Sequence, residues 1–230
     1  MIKNRKNIII YGLQRSGTNF LESILRKNYR VRILNDKKNR SSHLHKHFRI
    51  YDSKEIIPEP KYYNKIFVNS FEQFESLFSV VPDFYLIISK DPYSWFLSYK
   101  KWSIKCNWPK VDHHYILEYN YFYNVFRKFS SQTNKLIFIR YIDLIKRPKE
   151  KMREIEKRIN LYKNIFGNIL IRIPGNVPLS NTFSVEQRNY YLFEKYLMDI
   201  NPEEIKKINK LIDSDLLTFL GYEKKINYNY

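Results

Sequence analysis

The chain opens with the stretch Ile8-Ile9-Ile10-Tyr11-Gly12-Leu13-Gln14-Arg15-Ser16-Gly17-Thr18-Asn19-Phe20-Leu21. Its dense β-branched residues predict a strand at about 7–11. Two glycines then bound a short loop, and apolar residues at helical spacing predict a helix at about 17–28. A strand, a glycine-bounded loop and a helix N-terminus in this order predict a phosphate-binding cradle.

This loop differs from the Walker A loop of nucleoside triphosphatases. That motif requires Lys and then Ser or Thr directly after the second glycine, whereas Thr18 and Asn19 follow Gly17 here. The cation is Arg15, inside the loop, where it can make a bidentate contact with an anion. The alternative is a structural loop with a surface arginine.

The composition indicates a basic, well-packed protein. Hydrophobic residues make up 43% of the 230 residues, and 41 Lys and Arg against 23 Asp and Glu give a net charge of +18. Such a charge predicts affinity for anions, although a compositional bias toward Lys contributes to it. No zinc spacing or nucleic-acid recognition motif supports nucleic acid as the partner. Cys106 is the only cysteine, and no signal peptide or transmembrane run occurs, so we expect a cytoplasmic location.

Apolar runs and helical periodicity predict alternating strands and helices in the rest of the chain. The further predicted strands are 30–34, 66–68, 84–89, 136–139 and 169–173. The further predicted helices are 70–79, 92–104, 111–131, 148–160, 184–197 and 202–220. Residues 35–49 are a polar, His-rich stretch, and the predicted loops are 50–64 and 174–182. This order predicts a three-layer α/β fold, with a central parallel sheet flanked by helices as in P-loop proteins, and one domain over residues 1–230.

A second segment places a cation at the end of a buried strand. Lys90 follows the continuous apolar run 84–89, at the edge where doubly wound sheets bind ligands. Pro92 suits the first turn of a helix, and Ser98 falls about two turns along it. Lys90 and Ser98 are therefore placed to hold one phosphate group together. The alternative is a solvated lysine and a serine on the helix surface.

Together the two segments resemble the sulfotransferases that use 3'-phosphoadenosine-5'-phosphosulfate (PAPS). The resemblance implies that the 5'-phosphosulfate is bound by Gln14, Arg15, Ser16, Gly17, Thr18 and Asn19. It implies that Lys90 and Ser98 bind the 3'-phosphate, although the family more often has Arg at the position of Lys90. Many cytosolic members carry Lys at the position of Arg15.

Two later segments extend the resemblance. The sequence 140–144 looks like the family's Tyr-Glu-Asp-Leu segment, which implies that Tyr141 lies near the adenine. Phe20 falls where the family often has a tryptophan that stacks on that base. Residues 181–184 resemble the family's Asn-x-Phe-Thr segment, and Arg172, nine positions earlier, coincides with its 3'-phosphate arginine. The Lys, Gly and Trp that usually lie between are absent.

A histidine is the expected general base, because an acceptor must lose a proton during sulfuryl transfer. By the resemblance, His47 is the first candidate and His45 the second. His43, His45 and His47 alternate along the sequence, which predicts that their side chains share one face of a strand. A metal site on that face is the alternative to a catalytic base. Glu22 and Asp36 are further candidate bases, and we expect no metal.

The sequence therefore predicts transfer of a sulfuryl group from PAPS to a hydroxyl or amine, with Arg15 at the leaving group. We expect the acceptor to be a small molecule or a glycan, because aromatic residues and lysines crowd the region after the 3'-phosphate segment. The alternative is that these aromatic residues belong mostly to the core. These aromatic residues are Trp95, Tyr99, Trp102, Trp108, Tyr115, Tyr119, Tyr121 and Tyr123. The alternatives are a nucleotide or small-molecule kinase of the same fold and a non-catalytic nucleotide- or RNA-binding protein.

Overall fold

The computed structural model describes residues 5–35, 38, 42–51, 65–164, 176–177, 181–182 and 185–225. Its strands are β1 (Lys6–Tyr11), β2 (Val31–Ile33), β3 (Arg49–Tyr51), β4 (Lys65–Phe67), β5 (Phe84–Ser89), β6 (Leu136–Arg140), β7 (Asn176–Val177) and β8 (Asn181–Thr182). Four of them form a central sheet in the order β2-β1-β5-β6. Every pairing in this sheet is parallel, as predicted.

Helices cover both faces of the central sheet. They are α1 (Thr18–Asn28), α2 (Phe71–Glu75), α3 (Pro92–Lys105), α4 (Ile116–Ser130), α5 (Tyr141–Lys146), α6 (Pro148–Ile159), α7 (Val185–Leu192), α8 (Pro202–Leu211) and α9 (Ser214–Phe219). A 3-10 helix, Lys195–Asp199, joins α7 to α8. The predicted three-layer α/β fold is confirmed. Among the described residues, no helix has both the length and the apolar character needed to cross a membrane.

The central strands divide the core in two. Ile9 and Tyr11 of β1 face an aromatic-rich core that includes α3, α4, α8 and α9. Ile8 and Ile10 of the same strand face a second core with α1 and α6. All four side chains are almost completely buried, which is why β1 and β5 read as continuous apolar runs.

The structure corrects several predicted boundaries. The predicted loop 50–64 begins inside β3, which pairs in parallel with β4 in a small separate sheet. The predicted helix 111–131 starts only at Ile116. The predicted helix 202–220 is two helices, because Asp213 caps a new one by accepting from the backbone N–H groups of Asp215 and Leu216.

Three further predictions concern the region between α6 and α8. The predicted strand 169–173 lies outside the described residues. The predicted loop 174–182 contains the antiparallel pair β7 and β8. The predicted helix 184–197 ends at Leu192, and the 3-10 helix follows.

Candidate functional site

The carboxyl ends of three neighbouring strands carry the predicted site residues. Gly12 follows β1, Lys90 follows β5, and Tyr141 follows β6. After β1 the chain runs to β2 on one side of it, and β5 and β6 lie on the other. A crevice at such a reversal of strand order is the usual ligand site of an open parallel sheet.

The loop after β1 takes a tight path that its glycines permit. Gly17 has φ 100°, in the left-handed region, and caps α1 without a side-chain hydrogen bond. A Cβ atom on Gly17 would lie 2.4 Å from Cδ2 of Tyr141, and one on Gly12 would lie 2.7 Å from the carbonyl oxygen of Ile88. Gly17 and Thr18, at the N-terminus of α1, line the cavity of this crevice. The positive end of α1 therefore faces any anion bound there.

A cavity of about 270 Å³ brings most of the predicted residues together. Its lining comprises Gln14, Arg15, Gly17, Thr18, Asn19, Phe20, His47, Lys90, Trp102, Tyr141 and Tyr191. Phe20 and Tyr141, the two residues expected near an adenine, meet edge to face with their ring centroids 5.9 Å apart. Ser16 is completely buried and does not line this cavity.

Lys90 and Ser98 are in direct contact. The Lys90 ammonium donates to the Ser98 hydroxyl at 2.8 Å and to the Tyr191 hydroxyl at 3.3 Å. Lys90 is only 4% exposed. Burial, with the positive charge of Arg15, lowers the pKa of Lys90 to about 7, so an anion bound here would restore its full charge.

His47 is oriented by the main chain of the loop. Its Nδ1 lies 2.7 Å from the carbonyl oxygen of Gly12, which can only accept, so Nδ1 carries the proton and Nε2 holds the lone pair. Burial holds the pKa of His47 well below its usual value, and the charges of Lys46 and Arg49 lower it further. At neutral pH the ring is uncharged and can act as a base.

The other candidate bases are placed less suitably. His45 is buried outside the cavity lining, and its Nδ1 accepts from the His47 backbone N–H at 3.3 Å. Glu22 is buried against Arg26 at 2.9 Å and lies 3.9 Å from Lys46. Asp36 lies outside the described residues, as does Arg172.

The alternation of three histidines does not produce a strand face. Residues 42–47 form successive turns, in which the backbone N–H of His45 donates to the carbonyl of Ser42. His43 packs its ring edge to face against Phe78 instead of joining the other two. No group of three or more potential metal ligands occurs within the described part of the chain.

The predicted aromatic surface after Lys90 is mostly core. Trp95, Tyr99, Tyr119 and Tyr123 are fully buried, so they cannot contact an acceptor. Trp102 is the member of this group that lines the cavity, and the Arg15 guanidinium lies 4.8 Å from its ring centroid. This cation–π contact positions Arg15 at the mouth of the loop.

A buried ion pair behind the loop was not predicted. The Arg49 guanidinium donates to Glu118 at 3.1 Å and to the side-chain oxygen of Gln14 at 3.2 Å. Glu118 also accepts from the Tyr99 hydroxyl at 2.7 Å. Gln14 is held a second time by the Trp95 indole N–H, which donates to its carbonyl. Helices α3 and α4 thus fix the start of the loop.

The comparisons with known proteins identify the fold. No protein-family model matches the chain, and no curated protein matches it in sequence. Among solved structures it is similar to mouse sulfotransferase SULT7A1 complexed with PAP, with a TM-score of 0.53 at 12% sequence identity. The similarity covers 95% of this chain and 88% of the mouse chain. The protein therefore shares the α/β fold of that structure.

Proposed function

We propose that the protein is a sulfotransferase that moves a sulfuryl group from PAPS to a hydroxyl or amine of a small-molecule or glycan acceptor. The observation that carries this proposal is the cavity in which the glycine-bounded loop, the buried cation of Lys90 and the uncharged ring of His47 meet. The likeness in fold to a sulfotransferase complexed with PAP supports it.

The arrangement suits a nucleotide phosphorylated at both ends. The loop and the N-terminus of α1 would hold the 5'-phosphosulfate, and Lys90 with Ser98 would hold the 3'-phosphate. Phe20 and Tyr141 line the same cavity, and their rings would form an aromatic wall for the adenine. Arg172 remains a proposed 3'-phosphate ligand on the sequence resemblance alone.

In the proposed reaction the acceptor oxygen or nitrogen attacks the sulfur in line, and the bond from sulfur to the 5'-phosphate oxygen breaks. The electron pair of that bond stays on the phosphate oxygen, where Arg15 and the positive end of α1 neutralise the developing charge. The acceptor proton passes to Nε2 of His47. The products are the sulfated acceptor and 3'-phosphoadenosine-5'-phosphate (PAP).

Ligand binding tests the co-substrate. Thermal unfolding of the protein is measured with PAP, ATP and a short RNA, without Mg²⁺. We expect PAP to raise the unfolding temperature at a much lower concentration than ATP. Preferential stabilisation by ATP would indicate a kinase, although Thr18 stands where a kinase loop of this type has lysine. Stabilisation by RNA alone would indicate a nucleic-acid-binding protein.

Activity is tested by transfer of labelled sulfate from PAPS across a panel of glycans, phenols and peptides. On an acceptor that is used, Arg15→Ala should lower turnover by roughly two to four orders of magnitude, because charge stabilisation at the leaving group is lost. Arg153→Ala removes an exposed arginine on α6 and serves as the matched control. Near-normal turnover by Arg15→Ala would contradict the proposed role.

A further inference from the structure

Helix α7 brings a tyrosine to the buried ammonium of Lys90. The Tyr191 hydroxyl accepts a hydrogen bond from Lys90 at 3.3 Å, across 101 positions of sequence. The same ammonium lies 4.5 Å from the centroid of the Tyr191 ring and 5.7 Å from that of Tyr141. The two rings meet edge to face at 5.6 Å and line the cavity together.

The surroundings of Lys90 favour a bound negative charge. The side chain is buried, and within the described residues no carboxylate lies within ion-pair distance of its ammonium. It donates hydrogen bonds to the hydroxyls of Ser98 and Tyr191, which are neutral. The charge of Asp91 favours the ammonium form, but burial and the charge of Arg15 outweigh it, so the site favours an anionic ligand.

Tyr191 can contribute a donor to such a ligand. Its hydroxyl accepts from Lys90, and this leaves the hydroxyl proton available for a further acceptor. Burial raises the pKa of Tyr191, so the hydroxyl keeps that proton at neutral pH. The Lys90 ammonium and the Tyr191 hydroxyl thus place two donors beside Ser98. The Ser98 proton is donated to the carbonyl oxygen of Ser94 at 2.9 Å and would have to turn to reach the ligand.

We propose that the Tyr191 hydroxyl is a third ligand of the 3'-phosphate, and that it sets the preference for nucleotides that carry this phosphate. The inference rests on the proposed function, since it concerns the same nucleotide. A hydrogen bond to a dianionic phosphate is strong where water is excluded. A nucleotide without a 3'-phosphate would leave Tyr191 with only its contacts to Lys90 and Ser98.

The test compares Tyr191→Phe with Tyr190→Phe. Phenylalanine at 191 keeps the ring over Lys90 and removes only the hydroxyl. Tyr190 is its matched control, because its hydroxyl donates to Asp199 at 2.6 Å and its side chain does not line the cavity. Dissociation constants of PAP and of adenosine 5'-monophosphate are measured by calorimetry for both variants and for the unmodified protein.

We expect Tyr191→Phe to weaken PAP about 10-fold or more, which is the usual effect of losing a hydrogen bond to a charged group. Affinity for adenosine 5'-monophosphate should stay unchanged, as should both affinities in Tyr190→Phe. An equal effect of Tyr191→Phe on the two nucleotides, or no effect on PAP, would overturn the inference and leave the sulfotransferase proposal intact. If the unmodified protein does not bind PAP more tightly than adenosine 5'-monophosphate, the inference and the sulfotransferase proposal both fail.

Discussion

The Lys90 ammonium donates to the Ser98 hydroxyl at 2.8 Å, although the two residues belong to a strand end and to the second turn of a helix. Asp91 supports this contact, because its side chain caps α3 by accepting from the backbone N–H groups of Tyr93 and Ser94. The cap fixes the direction in which α3 leaves the sheet. The eight-residue spacing therefore brings a buried ammonium and a hydroxyl together, with the Ser98 proton donated to the carbonyl oxygen of Ser94 at 2.9 Å.

Nucleotide binding should depend on pH through Lys90. Its pKa of about 7 in the empty protein means that part of the population is uncharged at neutral pH. A bound 3'-phosphate favours the charged form and raises this pKa, so binding takes up a proton above about pH 7. The dissociation constant of PAP should increase by up to roughly tenfold per pH unit between pH 7 and the pKa of the complex.

Calorimetry in buffers of different ionisation enthalpy measures this proton uptake directly. Lys90→Arg supplies the control, because arginine stays charged throughout the range and should remove the pH dependence. If the dissociation constant of PAP changes equally with pH in the unmodified protein and in Lys90→Arg, another group takes up the proton.

His47→Asn should separate base catalysis from nucleotide binding. The amide nitrogen of asparagine can replace Nδ1 as donor to the Gly12 carbonyl, but nothing replaces Nε2. We expect turnover to fall by roughly 10²–10⁴-fold, the usual contribution of a general base, while PAP binds as before. The acidic limb of the pH–rate profile, which reports protonation of His47, should disappear.

His43→Asn is the control for this substitution, since His43 packs on Phe78 and does not line the cavity. A larger loss of turnover in His45→Asn than in His47→Asn would transfer the role of base to His45.

The sequence predicted those parts of the site that follow from residues close together along the chain. The continuous apolar runs of β1 and β5 identified buried strands, and the carboxyl ends of buried parallel strands are where Lys90 and the loop were expected. The turns at 42–47 were missed because alternating histidines mimic a strand, whereas the Ser42 carbonyl and hydroxyl accept from His45 and Leu44 and close a turn.

Long-range contacts left little signal in the sequence. Tyr191 reaches Lys90 only because α7 packs against α5 and the 3-10 helix, and its segment shows no motif. The pair of Arg49 with Glu118 joins positions 69 apart, and each residue alone reads as a surface charge. The helix break at Asp213 was also missed, although aspartate is a favoured N-cap residue.

Gly17→Ala should disrupt the nucleotide site through Tyr141. A Cβ atom there would lie 2.4 Å from Cδ2 of the tyrosine ring, and the left-handed backbone adds a cost of about 1–2 kcal/mol. Gly221→Ala is the matched control, because Gly221 is also left-handed at φ 73° but its new Cβ would meet the end of a flexible side chain, Arg140. We expect both variants to unfold at a lower temperature and only Gly17→Ala to lose PAP binding. Retained binding in Gly17→Ala would contradict the close packing of Tyr141 on the loop.

Glu118→Gln should destabilise the protein, because it leaves the Arg49 charge buried without its carboxylate. The two side chains are 4% and 1% exposed, and loss of one partner of such a pair typically costs about 3–5 kcal/mol. Denaturant unfolding measures the change in the free energy of unfolding. Glu154→Gln, which removes the partner of an exposed ion pair, is the control and should alter this free energy little.

The double variant Arg49→Met, Glu118→Gln removes the unpaired charge and should recover much of the lost stability. Since Arg49 also holds Gln14, that variant should still bind PAP more weakly than the unmodified protein. Recovery of both stability and affinity would show that the pair supports the fold and not the loop.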